Sequence, residues 1–588
     1  MTVYNLPAAI WKLSKLKCRG PEPYAACVQK LMLFCEDAQA RNLSNAVYGL
    51  CTAPATITWQ HQAALQQQLV PAFVAKLSTA IAQSVSNVLY GMADSGQRLP
   101  EEVVRQLVAA FVGQLQHAKT QAVSNTLWAV AKIAGAVTSG QLQQLLGAFI
   151  TMLQHATPQA VSNTLLAVAT MEQRVSAGQL QQLLGAFISK LLQAAPQAVS
   201  NTLWAVATME QKVPAGQLQQ LLGAFVGMLQ QAKPQEASNT LLACAKLRYF
   251  PQQLLAAPGL TALLLADTTQ GLANAAWACG QLGHRDEQLM GALLAKTQQW
   301  LGRFEVARSR YSSSFNSQNL CNVCWAVAVL DLQQHAQQVL QLAQACSSMW
   351  SSTGEEDQRQ LWQVIPCCWT FSWQGARACR AGLLTEERLQ QCKTSRQQQI
   401  QQTLEEQHTK FQRAVFAAVQ LLPITWQQQP QMEQLSVGRD GVTPDGALLL
   451  DIAGRTAAGV LVAVEADGPT HFRQPDGGLM GLTMYRNRAL AVRGYRLVSV
   501  PYQAWNKAQR DEQREQQYLT RLFLEAGVVS GELAAQPATT QAQHAPGLKQ
   551  QQQQAAPSGV SARALPPRAA LPGTPQLMRP PMQPQASP

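Results

Sequence analysis

Apolar positions between Leu180 and Leu191 recur at helical spacing, with Leu180, Leu183, Leu184, Phe187, Ile188 and Leu191 following i, i+3, i+4, i+7, i+8 and i+11. That spacing draws one apolar stripe along a helix. The preceding segment, PQAVSNTLLAVATM, carries Val161, Leu165 and Val168 at i, i+4 and i+7, and Pro158 stands where a first helical turn accepts proline. A short glycine-containing turn joins the two. One helix pair has nothing to bury its stripe against, so the pattern predicts pairs stacked into an α-solenoid.

The stacking is written into the sequence as a repeat. SNTLWAVA at Ser124 returns as SNTLLAVA at Ser162, SNTLWAVA at Ser200 and SNTLLACA at Ser238, which places Asn125, Asn163, Asn201 and Asn239 38 residues apart. Weaker copies centre on Asn45, Asn87, Asn274 and Asn322, a degenerate unit surrounds Trp362, and AAIWKLSKL fits the same register near the N-terminus. The first residues are therefore expected to belong to a repeat and not to a transit peptide, basic as they are. An asparagine common to every unit cannot distinguish bases, so a hydrogen-bonded ladder between units is its expected role. Three places on, Trp11, Tyr48, Tyr90, Trp128, Leu166, Trp204, Leu242, Trp277 and Trp325 form a row. Stacking of bases on it would be worth about 1 to 3 kcal/mol each, but leucine replaces the aromatic freely, which favours packing between units. Residues that vary at one geometric position are better readers: Lys132, Thr170, Thr208 and Lys246, then Ala134, Glu172, Glu210 and Arg248.

The pattern changes after Pro423. Glu386 to Leu422 reads as one connecting helix, and then ALLLDIAG and GVLVAVEADG form β-rich runs divided by the turn GRTAAG, a hairpin signal. Alternation along the second run puts Leu461, Ala463, Glu465 and Asp467 on one face. Asp451, closing the preceding run, can lie beside them. Three carboxylates so placed are candidate catalytic groups and candidate ligands for a divalent cation, with Mg²⁺ the one cofactor to consider. From Met484 to Arg510 there are Arg486, Arg488, Arg493, Arg496, Lys507 and Arg510 without an acid, interleaved with Tyr485, Tyr495, Tyr502 and Trp505. Arginines contact phosphates and aromatics stack unpaired bases, although Tyr495 and Trp505 also suit the core of a small domain.

Composition narrows the class. Lys+Arg 45 against Asp+Glu 33 leaves a net charge of +12, which favours an acidic partner such as nucleic acid. The 13 cysteines are irregularly spaced, so no disulfide framework is expected. Cys321 and Cys324 form a CxxC inside a repeat helix and read as core, and Cys367 and Cys368 have no partners at metal-ligand spacing. No apolar run reaches the roughly 20 residues that span a bilayer, and no membrane partner is expected. After Ser530 the chain becomes rich in Gln, Ala and Pro, and the tail over 528–588 is expected to be disordered.

The 38-residue pair with its asparagine and following aromatic resembles the octotricopeptide repeat of algal organelle RNA-binding proteins. Asp451, Glu465 and Asp467 resemble the D…ExK pattern of the PD-(D/E)XK nuclease fold, with Asp467 where the lysine belongs. The fuller segment, VEADGPTHF, LTMYRNRAL and RGYRLVSVPYQAW, is similar to a RAP domain, the nuclease-like module that ends such repeat proteins and the FAST-kinase-like mitochondrial proteins. Together these imply an α-solenoid of repeats over 1–375, a helical connector over 376–436, a small α/β restriction-endonuclease-like (RAP) domain over 437–527, and a tail over 528–588. The implied function is an organelle RNA-binding factor in the chloroplast or mitochondrial matrix. It would act in processing, stabilisation or translation of transcripts, ribosomal RNA included, within a ribonucleoprotein. The expected RNA contacts are Lys132, Lys246, Arg248, Arg486, Arg488, Arg493 and Arg496. Two alternatives stay open, a metal-dependent endoribonuclease guided by the repeats and a peptide-binding scaffold. The missing lysine predicts binding with cutting absent or very slow, unless Arg486 or Arg488 supplies the cation.

Overall fold

A computed structural model describes residues 5–133, 137–171, 175–209, 213–306, 316–367, 384–404, 409–432, 443, 448–509 and 511–529. Ala134, Glu172, Glu210, Arg510 and the tail from residue 530 lie outside them, as do the side chains of Cys367 and Cys368; Val528 and Val529, assigned to the tail from the sequence, instead pack against the core of the C-terminal domain. The chain divides into two compact units, one ending at Asp267 and the other beginning at Thr268.

The first unit is a stack of helix pairs. Its first helices include Thr120–Ile133, Pro158–Thr170, Pro196–Met209 and Pro234–Lys246, and its second helices Ser139–Thr151, Ala177–Ile188 and Ala215–Gly227. Neighbouring first helices lie side by side and bury nearly all their residues, Ala122 to Ala131 in a continuous run. The predicted stripe is buried at Leu180, Leu183, Leu184 and Phe187. It stops there because the helix ends at Ile188 and Leu191 opens a 3₁₀ turn. Local chemistry sets the starts: Thr157 accepts from Ala160 N with Pro158 in the first turn, and Ser176 and Gln179 form a capping box.

Four rungs between neighbouring repeats are made by the serine one place before the asparagine. Ser86 Oγ donates to Ala122 O at 2.9 Å, Ser124 to Ala160 at 2.8 Å, Ser162 to Ala198 at 2.9 Å and Ser200 to Glu236 at 2.9 Å. Asn87 and Asn163 instead accept from Gln83 and Gln159 of their own helices, each at 2.8 Å. Over these repeats a ladder of serines stands where one of asparagines was expected, and the amides of Asn87 and Asn163 fold back on their own turns; Asn322 does form the expected kind of rung, accepting from Gln360 Nε2 at 3.0 Å. The aromatic row packs as expected, with Tyr90 and Trp128 stacked at 4.9 Å and Trp128 fully buried.

In the second unit Thr269–Leu282, Ser317–Val329, Glu355–Cys367 and Glu386–Leu404 continue the same mode of stacking. Cys321 and Cys324 are buried there, Cys321 Sγ lying 3.6 Å from Cys346 Sγ. The expected single connecting helix is in fact two. Glu386–Leu404 belongs to the stack, with Ser395 Oγ donating to Gln358 at 2.5 Å, while Lys410–Gln420 starts at a Thr409–Gln412 capping box and enters the C-terminal domain. Among the described residues no helix is long and apolar enough to cross a membrane.

The C-terminal domain is built on a four-stranded sheet ordered β1 (Trp426–Met432), β2 (Ile452–Thr456), β3 (Leu461–Asp467) and β4 (Tyr495–Pro501). The β2–β3 hairpin is antiparallel, as its turn residues predict. β3 and β4 run parallel, and the helix Gly481–Val492, here the arginine helix, connects them. One sheet face buries Val462, Val464, Ala466, Val498 and Val500 against Val415, Val419, Trp505, Leu519 and Phe523. Strand β1 has no apolar alternation to betray it, and its Pro430 fits an edge strand.

The arginine helix is seated on the repeat helix Thr269–Leu282. A Cβ on Gly481 would stand 1.7 Å from Gly280 O. Backbone on both sides leaves nothing to yield, so Gly481→Ala is expected to displace the helix and cost about 3 kcal/mol. A thermal melt and limited proteolysis check this, and wild-type behaviour in both would contradict the close seating.

Candidate functional site

The opposite face of β3 presents Glu465 and Asp467 to the arginine helix, and both carboxylates are buried, at 2% and 0% exposure. Arg486 reaches across from that helix. Its Nη1 lies 3.0 Å from Glu465 Oε2 and its Nη2 2.7 Å from Asp467 Oδ1. His471 Nδ1 is 3.1 Å from the same Asp467 oxygen, and the Ser499 hydroxyl donates to Asp467 Oδ2. Asp451 stands at the start of β2, where it accepts from Gln412 Nε2 and from the backbone N of Ala466, each at 2.9 Å. The sequence reading thus placed the two strand carboxylates on one face correctly. Of its two candidate cations, Arg486 is the one that meets them.

Electrostatics follows from three acids around one guanidinium. Burial raises the Glu465 carboxyl well above its ordinary value, Arg486 opposes this, and the neighbouring Asp451 and Asp467 add to the rise. Burial raises Asp451 as well, against the pull of Arg486 and its two hydrogen bonds. Burial works against the charge of Arg486, but Glu465 and Asp467 outweigh it and hold the guanidinium above its ordinary value. Glu465 Oε1 is buried with no hydrogen-bond partner, the place where a retained proton is least costly.

A raised acid binds its proton more tightly folded than unfolded. Its contribution is therefore greatest below the unfolded value, about 4.3, and is lost as pH rises through the folded one. Urea melts across that window should show wild type losing stability relative to Glu465→Gln as pH rises. A constant difference between the two would mean that Glu465 does not titrate in this way.

A divalent cation needs several free oxygens. Here Arg486, Ser499, Gln412 and Ala466 N occupy most of those that Asp451, Glu465 and Asp467 offer, and a guanidinium already fills the cationic position. Among the described residues no three His, Cys, Asp or Glu side chains are grouped to hold a metal. As arranged, the three acids do not offer the open oxygens that Mg²⁺, the cation weighed for them from a sequence expected to need no cofactor, would require.

The proposed RNA contacts separate into two kinds. Arg486 is spent on Glu465 and Asp467, and Arg488 Nη2 donates to Val329 O at 2.5 Å, closing the end of Ser317–Val329. Both guanidiniums are thus engaged within the protein, Arg486 with strand β3 and Arg488 with the end of a repeat helix. Arg493 donates to Ala489 O at 2.8 Å and is part-buried, while Arg496 on β4 is exposed. In the first unit, Lys132 lies over the Trp128 ring at 4.7 Å and Lys246 over Trp204 at 5.8 Å. Arg248 is exposed just past its helix, at φ 54°. Trp505 and Tyr485 are buried, the former in the domain core.

Sequence reasoning missed four polar residues that face the arginine helix from the repeat stack: Arg359, Gln360, Gln363 and Arg396. Counting 38 on from Asn322 and Trp325 would have found Gln360 and Gln363.

Compared with known families, residues 464–522 match the RAP domain. A RAP domain is generally an RNA-binding domain, which fits a general RNA-binding role for the chain. A comparison with curated proteins found no match.

Proposed function

We propose that this chain is an organelle RNA-binding factor that holds single-stranded RNA in the manner of octotricopeptide-repeat proteins. Its task would be processing, stabilisation or translation of chloroplast or mitochondrial transcripts, ribosomal RNA among them, within a ribonucleoprotein. The observation that carries the reading is a RAP domain seated on a stack of helical repeats. The net charge of +12 and the basic groups Lys132, Lys246, Arg248, Arg493 and Arg496 support it, because phosphate neutralisation supplies most sequence-independent affinity.

Binding without cutting is the favoured chemistry. Phosphodiester hydrolysis in the nuclease-like fold asks for acids free to hold a cation and a positive group at the reacting phosphate. Here the acids and the positive group satisfy one another. Purified protein incubated with single-stranded RNA should bind with an affinity that falls steeply as salt rises, and the RNA should stay intact with Mg²⁺, Mn²⁺ or EDTA. Metal-dependent cleavage abolished by Glu465→Ala, with binding retained, would replace this reading by the endoribonuclease one. Salt-independent or absent RNA binding would favour a peptide-binding scaffold.

A further inference from the structure

Between the last repeat helices and the arginine helix lies a cavity of about 310 Å³, within the size range of small-ligand sites. We propose that it receives one unpaired nucleotide of the bound RNA, with the base beside Trp277 and the Gln360 amide and the phosphate at Arg359 and Arg396. The inference rests on the RNA-binding reading and gives it a specific site.

The repeat register explains why a cavity opens here. In the first unit the row three places after each asparagine is closed by large apolar side chains, with Trp128, Leu166, Trp204 and Leu242 all buried. In the unit after Asn322 the corresponding residues are polar. Gln360 takes the asparagine position and donates to Asn322 Oδ1 at 3.0 Å; Gln363 takes the aromatic position and accepts from Trp325 Nε1 at 2.7 Å. The row therefore ends in amides, and Trp277, stacked on Trp325 at 6.2 Å, stays part-exposed at the cavity wall.

The polar groups are arranged for a ligand that both donates and accepts. Gln360 is 4% exposed, yet its Oε1 has no hydrogen-bond partner. A buried acceptor left open costs free energy unless something donates to it, and the exocyclic amine or ring N–H of a base would. The Nε atoms of Arg359 and Arg396 are likewise buried without acceptors. Arg359 is otherwise engaged with Glu355 and Glu356 at 3.4 and 2.9 Å, and Arg396 Nη1 donates to Gln399 at 2.5 Å. Arg486 also lines the cavity but is already balanced by Glu465 and Asp467. Glu355 and Glu356 balance Arg359, so the positive charge of the wall is that of Arg396, whose partner Gln399 is neutral. Burial also holds the Arg396 guanidinium below its ordinary value, as expected of a cation awaiting an anion. A planar aromatic, an open amide acceptor and two forked cations match base, base edge and phosphate together. An acidic peptide would use only the cations.

The test uses the full chain and a fluorescein-labelled, unstructured RNA of random sequence. Arg396→Gln removes a phosphate contact, and Leu482→Trp fills the mouth from a 38%-exposed position without touching a charge. Circular dichroism melts establish that each variant is folded. Each should weaken RNA binding about tenfold or more, and Arg396→Gln alone should flatten the slope of log affinity against log salt by about 1. Should Arg396→Gln prove unstable, Leu482→Trp still decides the matter. Wild-type affinity in a folded Leu482→Trp would overturn the cavity site while leaving RNA binding intact. Failure of the wild-type chain to bind any RNA would overturn both.

Discussion

Arg486→Ala is expected to unfold the C-terminal domain. The substitution removes the guanidinium that bridges Glu465 and Asp467, 2% and 0% exposed, and leaves Asp467 with His471 and the Ser499 hydroxyl and Glu465 with no cation in contact among the described residues. Breaking a buried pair by deleting one partner costs about 3 to 5 kcal/mol, because the surviving charge stays desolvated. Two acids share this arginine, so the upper part of that range applies. Loss of the domain's protection against proteolysis would report it. Replacing the network by neutral groups in one step, with Arg486→Met, Glu465→Gln and Asp467→Asn together, should recover much of the stability, since of the three acids only Asp451, which keeps its bonds from Gln412 and Ala466 N, can then carry a charge. If Arg486→Ala alone melts like wild type, the ion-pair network is not what holds β3 to the arginine helix.

Leu184→Asp should do comparable damage in the first unit. Leu184 is fully buried, and truncating such a leucine already costs about 2 to 5 kcal/mol before any charge is added. An unpaired carboxylate at that position can be relieved only by opening the contact. Stacked repeats stabilise one another through nearest-neighbour interfaces, so the loss should spread over several helix pairs. Hydrogen exchange would reveal deprotection from the Thr120–Ile133 helix to the Pro234–Lys246 helix. Deprotection confined to Ala177–Ile188 would mean that the pairs are stable singly.

These outcomes bear on function in different ways. The Arg486 network ties up the groups a nuclease would need, so the same contact that stabilises the domain argues for binding over cleavage. The central repeats bury Asn125, Asn163, Asn201 and Asn239 with the aromatics beside them, so under the proposed function the basic groups of the first unit and the cavity of the second are the candidate contacts for RNA. Lys132 and Lys246 each keep a cation above a tryptophan in the first unit.

Periodicity alone determined the repeat stack, its 38-residue unit and the β2–β3 hairpin, because helix and strand spacing write burial directly into the order of residues. Alternation likewise put Glu465 and Asp467 on one face of β3. Contacts between elements far apart in sequence were decided only by tertiary structure. No local pattern distinguishes Arg486, which turns inward onto Glu465 and Asp467, from Arg496, which faces solvent, since the choice depends on which buried acids lie across from each. The serine takes four of the rungs expected of the asparagine for a similar reason: which side chain meets a carbonyl of the neighbouring helix depends on how helices one repeat apart are packed. Polar strand β1 has no apolar alternation and is recognised only through its pairing with β2. The cavity arises where the repeat register carries glutamine and arginine into a row elsewhere closed by apolar groups, and only the packing of the arginine helix over that row turns the change of residues into a site.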